Sequence, residues 1–277
     1  MVSKFFLISL VEKLTHFNID NPWRELRLLI SFIQKRTYAE VFFDCHIHKK
    51  NYLYLSDLVD QRCKGKPLSK IVGYKEFWSL KFKVTVDTLD PRPDSETLIQ
   101  SVMNHFPDQG QDLSILDLGT GTGCLLLSLL SEYPNSWGVG IDMSYSALRV
   151  ANENALDLGL SHKVFFACGN WGDCLNNQFD IIISNPPYIG FEEKIDGSVK
   201  HYDPPQALYA GKDGLSAYED LFPSLRYLMK DSGLSFIEIG IDQKQKVKNL
   251  AERKKLMFLK SDCDFSGIER VLIFKKI

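Results

Sequence analysis

The sequence contains no hydrophobic run of the roughly 18–20 residues that a membrane-spanning helix needs. Its longest apolar stretches, residues 5–11 and 124–130, are far shorter. The first of them resembles the apolar part of a signal peptide, but Glu12 and Lys13 end it early and no small-residue cleavage site follows. We therefore expect an amphipathic helix at the amino terminus and a cytoplasmic protein without a membrane segment.

Paired cysteines are missing as well. The six cysteines are scattered along the chain, and none of them forms a Cys-x-x-Cys motif. Their spacing is unlike a disulfide framework or a zinc site, and it favours reduced thiols. His46 and His48 come closest to a metal-binding tract, but no matching set of ligands lies nearby in the sequence. We expect no metal cofactor.

Positive charge is scarce in the main body of the chain. Residues 81–277 carry 20 Lys and Arg against 27 Asp and Glu, whereas residues 1–80 carry 13 against 8. Domains that hold nucleic acid usually carry a basic face, so the acidic body argues against direct binding of DNA or RNA. The basic first part has two interpretations: a surface for an acidic partner, or ordinary solvated helix faces.

The length of 277 residues and the 44% share of hydrophobic residues fit a folded protein of about two domains. Pro22 opens one predicted helix after the capping residue Asn21, and Ser56 starts another. Residues 78–86 alternate between apolar and polar side chains, which predicts a half-buried strand of a β-hairpin. We therefore divide the chain into a helical domain (1–75), a hairpin connector (76–93) and a main domain (94–277).

From about residue 95 onwards, strand and helix patterns alternate. Short apolar runs predict seven strands, the last two closing the chain around a turn: residues 114–118, 137–141, 164–167, 179–183, 234–239, 257–260 and 270–274. Alternating strands and helices form an α/β fold with a mostly parallel sheet and helices on both faces. Such sheets bind ligands beyond the carboxyl ends of the strands, so the loops after the strands are the informative ones.

A glycine loop follows the first of these strands and opens a helix. Glycines let the backbone come close to a ligand, and the helix amino terminus presents amide hydrogens suited to a carboxylate. The Gly-x-Gly-x-Gly spacing does not match the dinucleotide pattern Gly-x-Gly-x-x-Gly, and Asp117 before the loop favours S-adenosylmethionine over NAD. The candidate donor-binding residues of this loop are Gly119, Thr120, Gly121, Thr122 and Gly123.

Two further loops complete the predicted donor site. Asp142 ends the second strand, where its carboxylate can accept hydrogen bonds from both ribose hydroxyls. Its alternative role is to cap the following helix, which Ser144 can also do. Trp171 follows the third strand after Gly169 and Asn170, where an aromatic ring can flank an adenine. An ordinary, partly buried packing role for Trp171 stays open.

The loop after the fourth strand indicates the reaction, and it reads Asn185-Pro186-Pro187-Tyr188. The prolines fix the loop and remove two amide donors, so nearby carbonyl groups stay free as acceptors. With the Asn185 side-chain oxygen they can hold both hydrogens of a planar NH2 group, and Tyr188 can pack on its face. Such a clamp favours the pyramidal, reactive form of a nitrogen whose lone pair is delocalised. The catalytic candidates are therefore Asn185, Pro186 and Tyr188.

At these positions the sequence resembles the HemK/PrmC family of glutamine methyltransferases, which modify peptide-chain release factors. The resemblance covers nearly the whole chain. Besides the glycine loop and the tetrapeptide, it includes residues 67–77, the Pro-Arg-Pro-Asp-Ser-Glu block at 91–96, Asp203-Pro204, and segments around Glu238 and Arg270. The Pro-Arg-Pro block with a helical amino-terminal domain is more specific than the tetrapeptide, which many amino methyltransferases share.

The resemblance implies a Rossmann-like, seven-stranded class I methyltransferase domain that uses S-adenosylmethionine. It implies that Asn185 contacts both the donor and the acceptor amide, with Pro186, Pro187 and Tyr188 completing the substrate site. The implied acceptor is the side-chain N5 of the glutamine in the Gly-Gly-Gln motif of class 1 release factors, docked in part by the helical domain. Asn170 departs from the family pattern, because many relatives carry Asp there. We expect a monomer.

Three other functions stay open. A DNA or RNA amino methyltransferase could use the same tetrapeptide on a flipped-out base, although the acidic body disfavours phosphate contacts. The second is methylation of a glutamine in a large-subunit ribosomal protein, which the motifs do not separate from release factor methylation. The third is a donor-binding module without catalysis, which is disfavoured because Asn185 and Tyr188 are both present.

Overall fold

The computed structural model of the protein describes residues 4–195 and 197–277. These residues form two compact units: one of residues up to 73 together with 197–202, and one of residues 74–195 and 203–277. The predicted domain boundaries and the separate role of a connector stay predictions. None of the helices in the described ranges has the length and hydropathy needed to span a bilayer.

The first unit is built from short helices around a leucine-rich core. Leu14, Leu26 and Ile30 are completely buried there. The second helix begins at Pro22, as predicted, because proline needs no amide hydrogen in the first turn. The helices of this part are α1 Lys4–His16, α2 Pro22–Gln34, α3 Tyr38–Phe43, α4 Tyr52–Cys63 and α5 Leu68–Val72.

The predicted helix start at Ser56 is wrong. The helix α4 begins four residues earlier, at Tyr52, directly after a 3-10 turn at Lys49–Asn51, and Ser56 lies in its interior. Leu55 and Leu58 are buried on one face of this helix. Burial of that face determines where the helix begins and ends. The local capping pattern around Ser56 contains no information about this burial.

The predicted single strand over residues 78–86 is also wrong, although a hairpin is present. Two short antiparallel strands, β1 Tyr74–Phe77 and β2 Leu80–Lys83, pair with each other. Trp78 and Ser79 between them have φ values of 50° and 59°, so they turn the chain rather than extend it. Alternation of side chains continues through such a two-residue turn, which explains the misassignment.

The second unit contains a seven-stranded sheet in the order β5-β4-β3-β6-β7-β9-β8. Neighbouring strands are parallel except around β9, which is antiparallel to both β7 and β8. All seven predicted strands are present: β3 Ser114–Leu118, β4 Trp137–Asp142, β5 Val164–Cys168, β6 Phe179–Ser184, β7 Met229–Glu238, β8 Leu256–Cys263 and β9 Glu269–Lys276. The chain reverses its direction of strand addition between β3 and β6, so their carboxyl ends form a topological switch point.

Helices cover both faces of this sheet. On one face, Ile115 belongs to a core cluster with Leu98 and Leu126. On the opposite face, Leu116 belongs to a second cluster with Leu221. Two of these helices, α6 and α11, were not predicted. The helices that follow α5 are α6 Glu96–His105, α7 Cys124–Glu132, α8 Tyr145–Asp157, the short α9 Gly197–Tyr202 of the first unit, α10 Ser216–Leu228 and α11 Lys244–Arg253.

Candidate active site at the switch point of the sheet

A pocket of about 730 Å³, partly open to solvent, lies in the second unit at the carboxyl ends of four parallel strands. Loops that follow β3, β4, β5 and β6 supply Gly119, Gly121, Asp142, Trp171 and Asn185 to its lining. With Pro187, six of the predicted site residues are thus brought together in one cavity from distant parts of the sequence.

The glycine loop is held against the end of β4. The amide hydrogens of Gly119 and Thr120 are both donated to the carbonyl oxygen of Ile141, at 2.8 and 2.9 Å. Gly121 has a φ of 56°, a left-handed conformation that glycine adopts without strain, and space beside its Cα is open. This arrangement leaves a backbone surface free of side chains along the pocket, as a ligand cradle requires.

Asp142 contacts both neighbouring loops. Its Oδ2 accepts a hydrogen bond from the Gly121 N–H at 2.8 Å, and its Oδ1 accepts one from the Ser144 N–H, also at 2.8 Å. Burial raises the pKa of this carboxyl group, whereas the two backbone hydrogen bonds lower it. Ser144 itself caps α8 by accepting a hydrogen bond from the Ala147 N–H. Each carboxylate oxygen keeps a lone pair for a ligand hydroxyl.

Asp117 supports the loop from inside the protein. Its side chain is completely buried, and Oδ2 accepts a hydrogen bond from Thr120 Oγ1 at 2.7 Å. Burial raises the pKa of Asp117 to about 7, and the nearby charge of Asp142 adds to this, while the bond from Thr120 opposes it. Asp117 therefore shapes the loop and does not line the pocket.

Three predicted residues of the glycine loop are not among those that line the cavity. The side chains of Thr120 and Thr122 are buried, and Thr122 Oγ1 accepts the Cys124 N–H. Gly123 precedes α7 and packs against Leu127 and neighbouring atoms. Their predicted contacts with the donor stay predictions, and their structural part is to fix the curvature of the loop.

The Trp171 side chain is shared between the pocket and the core, and its contact with the adenine stays a prediction. It lines the pocket together with Asn170, and it also packs against the core cluster on one face of the sheet. Its Cζ3 atom lies 3.8 Å from where a Cβ of Gly119 would be, so the indole ring borders the glycine loop. The indole ring thus presents an aromatic surface to the pocket beside the glycine loop.

Asn185 is held in place by a residue far away in the sequence. Its Nδ2 donates a hydrogen bond to Ser95 Oγ at 3.0 Å, and Ser95 lies at the start of α6. Pro187 lines the pocket, whereas Pro186 is buried and is not among the lining residues. The free Oδ1 of Asn185 is the acceptor that this loop offers to the cavity.

Tyr188 is half-buried and is not among the residues that line the pocket. Gln243 Nε2 donates to the carbonyl oxygen of Tyr188 at 2.9 Å. Gly214 has a φ of 74°, and a Cβ at this position would lie 2.2 Å from the same carbonyl oxygen. Burial raises the pKa of Tyr188 to about 12, and the nearby carboxyl of Glu238 adds to this. The backbone of the tetrapeptide is therefore fixed by tight packing.

Sequence reasoning missed one wall of the pocket. It consists of two loops that are distant in the sequence: Asp87, Thr88 and Leu89 on one side, and Pro204, Gln206 and Ala207 on the other. The buried carboxylate of Asp203 connects them, because it accepts hydrogen bonds from Arg92 Nη2 at 2.7 Å and from the Asp90 N–H at 3.2 Å. The signals in the sequence were the Pro-Arg-Pro block and Asp203-Pro204, which the family resemblance includes but whose pairing is not visible until the chain is folded.

Comparison of this chain with known proteins identifies the family to which it is similar. A family model for a methyltransferase domain matches residues 109–265. A release factor glutamine methyltransferase from Caulobacter vibrioides is 35% identical over 267 residues, which cover 95% of this chain and 92% of the relative. Another from Buchnera aphidicola subsp. Schizaphis graminum is 37% identical over 276 residues, which cover 98% of each chain.

The chain belongs to the release factor glutamine methyltransferase family. A solved 16S rRNA N2 methyltransferase from T. thermophilus, in complex with AdoMet and guanosine, shares the fold. Its TM-score is 0.53 at 18% identity, and the match covers 74% of this chain and 50% of that chain. Within the described ranges, no group of three or more His, Cys, Asp or Glu side chains is arranged to hold a metal ion.

Proposed function

We propose that this protein transfers a methyl group from S-adenosylmethionine to the side-chain N5 of the glutamine in the Gly-Gly-Gln motif of class 1 peptide-chain release factors. The observation that carries the proposal is the position of Asn185, with a fixed amide on the same cavity as the glycine loop and Asp142. Membership of the release factor glutamine methyltransferase family gives the acceptor class. We place this activity in the cytoplasm, in a monomer, without a metal.

The residues that line the pocket suit the chemical groups of S-adenosylmethionine. Gly119 and Gly121 leave backbone exposed for the amino acid part, and the Asp142 carboxylate suits the two ribose hydroxyls. Trp171 and Ile141 offer apolar surface for the adenine. When bound, S-adenosylmethionine supplies an electrophilic methyl group on a positively charged sulfur. We also propose that Thr120, Thr122 and Gly123 contribute to donor binding, because they shape the glycine loop.

The tetrapeptide orients the acceptor. In this proposal Asn185 Oδ1 accepts one N–H of the glutamine side chain, and the carbonyl oxygen of Pro186 accepts the other. Pro187 and Tyr188 confine the planar amide. Holding both hydrogens turns the nitrogen lone pair toward the donor and favours the pyramidal geometry of the transition state over the planar ground state. As the new C–N bond formed, the C–S bond of the donor would break with its electron pair left on sulfur, which gives S-adenosylhomocysteine, and the nitrogen would release one proton to solvent.

The first unit carries an exposed aromatic group that suits the docking of a protein substrate. Phe43 is 87% exposed, and the guanidinium carbon of Arg27 lies 4.7 Å from the ring centre of Phe42 and 5.5 Å from that of Trp23. Aromatic and Arg side chains are enriched where proteins bind each other. We assign this group, Trp23, Arg27, Phe42 and Phe43, to contact with the release factor rather than with nucleic acid.

A substitution on this aromatic group tests the docking role. We expect Phe43→Ser to lower methyl transfer to an intact release factor more than transfer to a short Gly-Gly-Gln peptide, because only the intact protein can reach the first unit. Phe265→Ser is the matched control, since Phe265 is a fully exposed phenylalanine of the other unit, in the turn between β8 and β9. Equal losses with both acceptors, or no loss with either, would contradict the docking role.

The acceptor class is tested by transfer of a labelled methyl group to a panel of purified molecules. The panel contains a class 1 release factor, a large-subunit ribosomal protein, transfer RNA and duplex DNA. We expect label only on the release factor, and none on a release factor whose Gly-Gly-Gln glutamine is replaced by alanine. Label on nucleic acid or on the ribosomal protein alone would refute the proposed acceptor.

A further inference from the structure

One buried carboxyl group beside the site has no part in the proposed donor or acceptor contacts. Glu238 lies at the carboxyl end of β7 and is only 1% exposed. Its Oε2 atom has no hydrogen-bond partner among the described residues. A buried carboxyl group without full hydrogen bonding destabilises the folded protein. Its presence here therefore suggests a role in function.

The neighbours of Glu238 connect it to the tetrapeptide. Burial raises the pKa of Glu238 to about 7, whereas hydrogen bonding from Ser95, the charge of Arg270 and hydrogen bonding from Asn185 lower it. Asp94 is the nearby carboxyl that acts in the opposite direction to Arg270. Glu238 is thus near both ends of the bond in which Asn185 Nδ2 donates to Ser95 Oγ at 3.0 Å.

The direction of these hydrogen bonds follows from what each group can donate. An ionised carboxylate only accepts, and a serine hydroxyl has one hydrogen to donate and lone pairs with which to accept. When the hydrogen of Ser95 points to Glu238, the hydroxyl oxygen can only accept from Asn185. The amide of Asn185 must then turn its NH2 group to Ser95, and its Oδ1 is left for the pocket.

We propose that Glu238, acting through Ser95, is a positioning residue that fixes the orientation of the Asn185 amide, so that Oδ1 and not NH2 faces the acceptor nitrogen. The inference rests on the proposed function, in which Asn185 Oδ1 accepts a substrate N–H. An amide has nearly the same shape in both orientations, so packing alone does not select one. A neighbouring carboxylate in its ionised form, which can only accept, does select one.

A purely structural role for Glu238 predicts different results. If Glu238 only joined β7 to the start of α6, its loss would alter thermal stability and substrate binding together. A positioning role lowers kcat, because the acceptor amide still binds but is held in the wrong geometry. The affinity for S-adenosylmethionine stays unchanged, since Glu238 is not among the residues that line the pocket.

The test compares Glu238→Gln, Glu238→Asp and Ser95→Ala in the full-length protein. For Glu238→Gln we expect kcat on a release factor to fall on the order of 10–100-fold, with KM and donor affinity by calorimetry within about 3-fold of wild type. Glu238→Asp keeps the charge and is expected to recover part of the rate. Ser128→Ala is the control for Ser95→Ala, because Ser128 is a fully buried serine of α7 that does not line the pocket.

Coupling between the two positions gives the sharpest readout. The double variant of Glu238→Gln and Ser95→Ala is expected to lose no more than the larger single loss, because both act along one connection. Losses that multiply independently, or a normal kcat in Glu238→Gln, would overturn the proposal. If Glu238→Gln does not fold, the Ser95→Ala variant tests the proposal instead. A normal kcat in Ser95→Ala, equal to that of Ser128→Ala, would overturn the proposed positioning role.

Failure of this inference is distinct from failure of the proposed function. Wild-type protein that puts no methyl group on the Gly-Gly-Gln glutamine would contradict the function and remove the basis for the inference. Wild-type protein that methylates this glutamine, together with unchanged kcat in the variants, would contradict the positioning role alone.

Discussion

The N–H of Gly121 and the Oδ2 of Asp142 lie 2.8 Å apart and form a hydrogen bond between two loops of the candidate active site. The bond joins the glycine loop after β3 to the loop after β4. It gives Asp142 a structural task in the glycine loop, in addition to the contact with the ribose that we propose for it. Changes at Asp142 must therefore be compared with a variant that disturbs only the local structure.

Replacing Asp142 by alanine is expected to weaken the binding of S-adenosylmethionine. Hydrogen bonds to a charged group are each worth on the order of 1.5–3 kcal/mol, which corresponds to a loss of affinity of about 10- to 100-fold. Isothermal titration calorimetry measures this loss directly. Ser144→Ala is the control, because it removes the cap of α8 from a neighbouring residue of the same pocket wall and leaves the Asp142 carboxylate in place. Unchanged affinity in a folded Asp142→Ala protein would refute the ribose role.

Replacing Asn185 by alanine is expected to lower turnover far more than donor binding. Removing one oriented polar group from a transition state costs about 100-fold or more in kcat. Asn185→Asp is expected to be equally inactive, because a carboxylate offers Ser95 no N–H to accept and adds a charge near the sulfonium. Single-turnover kinetics with saturating donor separate the chemical step from binding. Near-normal turnover in Asn185→Ala would mean that the amide clamp is wrong.

The residues in the loops after the parallel strands were predictable, because each can be recognised from the few residues around it in the sequence. The glycine loop, Asp142 and Asn185 each follow an apolar strand directly, and parallel strands bring their carboxyl ends to one edge of a sheet. No folded contact is needed to recognise them. The seven strands were predictable for the same reason, since each buried strand is a short continuous apolar run.

The remaining parts depend on contacts between distant segments. Asp203 meets Arg92 across 111 positions, and Asn185 meets Ser95 across 90. Neither pairing leaves a pattern within either segment. Glu238 looks like an ordinary polar end of a strand until its burial is known. Trp78 and Ser79 likewise continue an alternating pattern although they form a turn.

Breaking the connection at Asp203 is expected to open the wall of the pocket that Pro204 and Gln206 form. The Asp203 side chain is 1% exposed, and its bonds to Arg92 and the Asp90 N–H hold this loop. Asp203→Asn keeps the size of the side chain but loses the charge, so we expect weaker donor binding, by about 5- to 10-fold, in a folded protein. Calorimetry measures the change.

The control for Asp203→Asn is Glu153→Gln, which removes the more exposed ion pair with Lys83 in the same unit. Exposed ion pairs contribute little, so this variant is expected to bind the donor as wild type does. A wild-type affinity for Asp203→Asn as well would show that the loop does not depend on the buried pair.

The stability of the protein is expected to fall as the pH rises through 7. Burial raises the pKa of both Asp117 and Glu238 to about 7, from ordinary values of 3.8 and 4.5. Between about pH 4 and 7 the folded protein therefore binds more protons than the unfolded chain, and the free energy of unfolding decreases with increasing pH. Their stabilising contribution is complete below pH 4 and is lost above 7.

Glu238→Gln isolates one of these two groups. Because glutamine does not titrate, the difference in unfolding free energy between pH 5.5 and 8.5 should be smaller in this variant than in wild type. Chemical denaturation at the two pH values measures it, and Ser128→Ala should keep the wild-type difference. An unchanged difference in Glu238→Gln would show that Glu238 does not titrate in this range.

The central claim is that a single glutamine side chain of a release factor receives the methyl group. Mass spectrometry of a purified class 1 release factor, incubated with this protein and S-adenosylmethionine, tests it most directly. The account predicts a mass increase of one methyl group on the peptide that contains Gly-Gly-Gln, with fragmentation placing it on the glutamine side chain, and no increase with Asn185→Ala. A methyl group found elsewhere, or an unmodified Gly-Gly-Gln peptide after incubation with wild-type protein, would contradict the account.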